Sequence, residues 1–88
     1  MILSELREKI DTLNRELVSL IAKRMEIARE IARIKKQKKL PVFDEKREKA
    51  IQEEIQSMAR SLGLSAPIME EIFDLLLRYT RLEMESSP

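Results

Sequence analysis

An arginine stands where a helix should bury an aliphatic side chain. Leu6, Ile10, Leu13, Leu17, Leu20, Arg24, Ile27, Ile31 and Ile34 follow one another at alternating spacings of four and three, and Arg24 is the one charged member. That period is the seam of a helix laid lengthwise against another. An arginine forced into it loses water and needs an anionic partner, because an unpaired buried charge is very costly. The bland alternative is a Glu of a neighbouring helix, or a side chain that snorkels to the edge of the bundle.

Further polar residues interrupt the apolar stripes nearby. Lys35 follows Arg24 by eleven residues, which on a helix is ~20° of rotation and ~16 Å of rise. Both side chains then project from nearly the same face and can reach one small ligand, unless Lys35 simply faces solvent. Arg7 shares Lys35's heptad stripe but lies ~25 Å from Arg24 along the axis, so it could serve the same ligand only from a partner subunit. In the second predicted helix the stripe Ile51, Ile55, Met58, Leu62 runs backwards through Glu48 and Asp44, with Arg47 alongside. Cation and anion thus sit together at a helix N-terminus, which itself favours anions, although ordinary capping charge would look the same. In the third, Met69, Phe73, Leu76 and Thr80 put a hydroxyl on the apolar face. A lone Thr there commonly bonds the carbonyl one turn back.

Whatever chemistry this set carries must manage without several common groups. With no His and no Cys in 88 residues, the chain lacks the commonest general base, thiolate nucleophiles, disulfides and the usual zinc ligands. No metal or cofactor is expected. Seventeen Lys and Arg against sixteen Asp and Glu leave a net charge of +1, too little to draw in nucleic acid or an anionic membrane. The basic run Lys35-Lys36-Gln37-Lys38-Lys39 complements a helix C-terminus, and hardly any aromatic residue is present for bases to stack on. No apolar stretch approaches a membrane span and no signal peptide is visible, which reads as a cytoplasmic protein.

The elements that must position these residues are helices. One Gly, three Pro and 43% hydrophobic residues exclude disorder and a many-stranded sheet. A first helix is expected over about 4–39, with Ser4 as N-cap. The Leu40-Pro41-Val42-Phe43 stretch breaks it, because a residue before proline leaves the α region. Asp44 then caps a helix over 44–62, Gly63 closes it in the left-handed conformation, and Ser65 with Pro67 opens a third over 66–85. The last residues, Ser86-Ser87-Pro88, read as frayed. The expected architecture is one all-α domain over residues 1–88. Its long helix, at ~50 Å, exceeds the width of so small a domain and must pack against a second chain.

Taken together, Leu6-Arg7-Glu8-Lys9-Ile10-Asp11, the segment around Arg24, Lys35, the Pro41-to-Glu48 stretch and Phe73 to Thr80 resemble the helical chorismate mutase family over nearly the whole chain. The resemblance implies an intertwined homodimer of three-helix subunits, which rearranges chorismate to prephenate in phenylalanine and tyrosine biosynthesis without a cofactor. It implies that Arg24 and Arg47, with Arg7 donated across the interface, hold the substrate's two carboxylates. Thr80 would contact a carboxylate, Lys35 would donate to the ether oxygen, and Glu48 with the backbone at Asp44 would bind the ring hydroxyl. The family usually carries Gln or Glu one turn after Thr80. Here Met84 stands in that place, with Glu83 as the nearest substitute for a catalytic contact to the ether oxygen. The rival readings are an isochorismate pyruvate lyase on the same fold and a non-catalytic helical dimer or adaptor.

Overall fold

The apolar periods and cap residues resolve into three helices in a computed structural model, which describes residues 2–86. They are α1 (Leu3–Gln37), α2 (Glu45–Ser61) and α3 (Ala66–Glu85), and no strand occurs among the described residues. The all-α expectation holds. None of these helices is long and apolar enough to cross a membrane. Two expected caps are in place: the Asp44 side chain accepts from the Arg47 N–H at 3.0 Å and that of Ser65 from the Ile68 N–H at 3.3 Å. The expected Ser4 cap is corrected. Leu3 already belongs to α1, and Ile2 takes the cap position in extended backbone with no side-chain bond. Ser87 and Pro88, read as frayed, lie outside the described residues.

α1 stops at Gln37, two residues before the expected end, and it stops by the same device as α2. After α2, Gly63 (φ 72°) turns the chain so that the Leu64 N–H reaches the Ala59 carbonyl at 2.8 Å. After α1, Lys39 (φ 56°) does so, and the Leu40 N–H reaches the Lys35 carbonyl at 2.8 Å. Glycine adopts this left-handed conformation freely, whereas a side-chain-bearing residue is strained in it. Lys39→Gly is therefore expected to stabilise the protein by about 0.5–1 kcal/mol. Thermal melting of both forms at one protein concentration checks this; a lower melting temperature for the variant would contradict it.

α3 packs against both other helices, whereas α1 and α2 do not approach each other directly. On α1 the buried residues are Met25, Ala28 and Ala32, and the two alanines form a cluster with Met84 of α3, against which Val42 packs. Their small side chains let the two helices come close. This buried face is displaced by one residue from the 24, 27, 31 seam, so α1 carries two apolar faces. The second is uncovered within the chain: Leu6, Ile10, Leu13, Leu17 and Leu20 are 46 to 60% exposed. The first half of α1 extends beyond the rest, giving a radius of gyration of 16.1 Å and a long axis of 55 Å. A compact chain of this length would have a radius near ~12 Å.

Candidate active site

Because α1 and α2 each lean on α3 but not on each other, a cavity of about 270 Å³ opens among the three helices and the loop joining the first two. It falls just below the usual range for small-molecule sites, roughly 300–1,000 Å³. Ala28, Ile31, Ile51 and Leu77 form apolar wall, and the polar lining comes from every element. α1 supplies Arg24 and Lys35, the loop Asp44, α2 Arg47 and Glu48, and α3 Thr80 and Arg81. Val42 and Met84 complete it. The eleven-residue spacing of Arg24 and Lys35 thus brings both to one space, as a straight helix requires.

Most polar groups in the cavity are held by a neighbour. Arg24 Nη1 donates to Thr80 Oγ1, and Thr80 Oγ1 donates in turn to the Leu76 carbonyl at 2.8 Å. The Thr80 hydroxyl therefore does what a helical Thr usually does, with its proton on the backbone one turn back, and it uses a lone pair to aim Arg24. Lys35 Nζ donates to the Val42 carbonyl at 3.0 Å, which ties the loop to α1 and leaves two of the three ammonium hydrogens for a ligand. Glu48 Oε1 accepts from Arg81 Nη1, and the Arg81 Cζ lies 5.1 Å from the centre of the Phe43 ring.

The charge balance in this space is uneven. Four cations, Arg24, Lys35, Arg47 and Arg81, face two carboxylates, Asp44 and Glu48, so the lining carries a net charge of +2. Burial, and next the repulsion of Arg47, push the Arg24 guanidinium below its ordinary pKa. Two guanidiniums that repel each other at a partly buried site are relieved by an anion between them, and their paired donors suit a carboxylate.

Of the expected site residues, Arg24, Lys35, Asp44, Arg47, Glu48, Thr80 and Met84 line this one cavity. Two are elsewhere. Arg7 lies on the exposed first half of α1, and Glu83 accepts from Arg29 at 3.1 Å without lining the cavity. The geometry thus places the apolar Met84, and not Glu83, at the cavity wall. Sequence reasoning missed Arg81, although it sits one turn after Leu77 and three residues before Met84 on the inward face of α3.

Residues 6–85 match the family model described as chorismate mutase type II. The chain is 33% identical over 79 residues to a protein of Methanocaldococcus jannaschii named chorismate mutase, covering 90% of this chain and 80% of that one. It is 36% identical over 76 residues to a T-protein of Haemophilus influenzae, and 29% identical over 76 residues to a T-protein of Enterobacter agglomerans. Each of those alignments covers 86% of this chain and 20% of the longer protein, so the chain spans about a fifth of the T-proteins' length.

Proposed function

The chain belongs to the chorismate mutase type II family, and from that premise we propose that it is an isomerase that converts chorismate to prephenate in the cavity among its three helices. The observation that carries this reading is the net +2 lining with Arg24 and Arg47 set against each other. Chorismate is a dianion. In its rearrangement one C–O bond breaks and one C–C bond forms within the same molecule, with no proton transferred and no covalent intermediate. An enzyme for it needs no base and no nucleophile. It must hold the flexible substrate folded on itself and meet the negative charge that grows on the ether oxygen.

Each residue takes a part that its position supports. Arg24, aimed by Thr80, and Arg47 clamp the carboxylates. Lys35 points a spare N–H at the ether oxygen, and Glu48 with the backbone at Asp44 receives the ring hydroxyl. The uncovered seam of α1 pairs with its twin in a homodimer, because an apolar stripe of that length is not left in water. That pairing lets Arg7 of one subunit enter the other's cavity.

Assays with chorismate and isochorismate, each followed by proton NMR, separate the readings. Prephenate from chorismate is expected. Salicylate and pyruvate from isochorismate alone would indicate the lyase, and inertness toward both would indicate the adaptor.

Met84 offers a sharper test of the ether-oxygen contact. An apolar thioether gives the growing charge no donor, while one well-placed donor is worth ~10²–10³ in kcat. Met84→Gln is expected to raise kcat by about tenfold, short of that range because the amide is not preorganised. Steady-state kinetics checks it, and an unchanged or lower kcat would put the ether oxygen out of reach of residue 84.

A further inference from the structure

Arg81 contributes the fourth cation of the cavity, and both ends of its guanidinium environment are specified. One nitrogen, Nη1, donates to Glu48 Oε1, and the central carbon lies 5.1 Å from the centre of the Phe43 ring. Both Arg81 and Glu48 are largely withdrawn from solvent, with side chains 29% and 21% exposed, so the pair is not a loose surface contact. The two residues come from different helices, and Phe43 comes from the loop before α2. Arg81 thus fastens α3, α2 and the loop to one another at the cavity wall.

For a ligand the pair has two consequences. Glu48 has two acceptor oxygens, and Arg81 occupies Oε1, which leaves Oε2 in a fixed direction for a hydroxyl. The guanidinium also offsets the Glu48 charge, which would otherwise repel an anionic ligand entering the same space. We propose that Arg81 is a positioning and specificity-determining residue: it holds Glu48 so that the cavity selects an anionic substrate bearing a ring hydroxyl. This rests on the reading of Glu48 as the hydroxyl acceptor.

The selection is measured as the ratio of kcat/KM for chorismate to that for the analogue with hydrogen in place of the ring hydroxyl. A site built to bond a hydroxyl rejects a ligand that lacks it, because its own acceptor is then left unpaired. The parent is expected to prefer chorismate, and Arg81→Met is expected to lower that preference at least about tenfold while raising KM for both substrates. In Glu48→Gln the preference falls as well, and adding Arg81→Met there lowers it little further, as for two residues acting as a unit. Arg81→Lys, which keeps a cation within reach of Glu48, retains more of the preference than Arg81→Met. A merely structural Arg81 would slow both substrates by one factor and leave the ratio unchanged, and that result would overturn the proposal. If the parent itself does not turn over chorismate, the enzymatic reading fails first; an active parent with an unmoved ratio overturns the role of Arg81 alone.

Discussion

Arg24→Ala and Arg7→Ala are each expected to lose most activity alone and to recover part of it when mixed. Arg24 lies beside Arg47 in the cavity and is aimed by Thr80. On the proposed reading its loss removes a carboxylate clamp at a partly buried site, where one well-placed donor is worth ~10²–10³ in rate. Arg7 lies outside its own chain's cavity, so on the proposed reading its contribution crosses a subunit boundary. In a heterodimer of the two variants one cavity carries both defects and the other carries neither. If subunits exchange freely, half of the dimers are mixed and a 1:1 blend regains about a quarter of the parent's activity. Steady-state rates of each variant and of the blend, with exchange verified by mass spectrometry of differently tagged subunits, make the check. Verified exchange with no recovery would remove Arg7 from the neighbouring cavity.

Lys35→Ala is expected to lower kcat by ~10²–10³ with a much smaller change in KM, because the bond to the ether oxygen proposed for it would strengthen only as the C–O bond breaks. The same substitution deletes the bond from Lys35 Nζ to the Val42 carbonyl and frees the loop. A loss of about 1 kcal/mol in stability should accompany it. Loosening alone would weaken substrate and transition-state analogue alike. The catalytic role predicts that the variant loses affinity for the analogue far more than for substrate. An equal loss of affinity for both ligands, or none for either, would leave Lys35 as a tether only.

The helices were legible in the sequence because breakers are scarce. With one Gly and three Pro, each interruption falls at Leu40-Pro41, at Gly63 or before Pro67, and the flanking Asp44 and Ser65 cap as expected. The end of α1 was not, since nothing marks a lysine for the left-handed conformation that Lys39 adopts. The seam period suggests a single apolar face on α1, whereas the helix carries two. Small residues such as Ala28 and Ala32 give a weak hydrophobic signal, so the stripe packed against α3 was overshadowed by the bulkier one that stays exposed.

The site divides in the same way. Arg24 and Lys35 could be matched by helical arithmetic within one element. Arg47 and Glu48 could be found from the polar end of a stripe. Arg81 could not, because its partner Glu48 lies 33 residues away on another helix, and Arg78 on the same helix looks alike in sequence. The choice between Glu83 and Met84 turned on a single residue of register, about 100° around α3, which only packing against Ala28 and Ala32 decides.

The central claim is that this cavity is complementary to the rearranging substrate. It is tested most directly by calorimetric titration with a bicyclic ether dicarboxylate that mimics the transition state, compared with prephenate under the same conditions. One analogue molecule is expected per chain, bound at least ~10²-fold more tightly than prephenate, with NMR shift changes concentrated at Arg24, Lys35 and Arg47. Equal affinity for the two compounds, or binding that leaves those three residues unmoved, would contradict it.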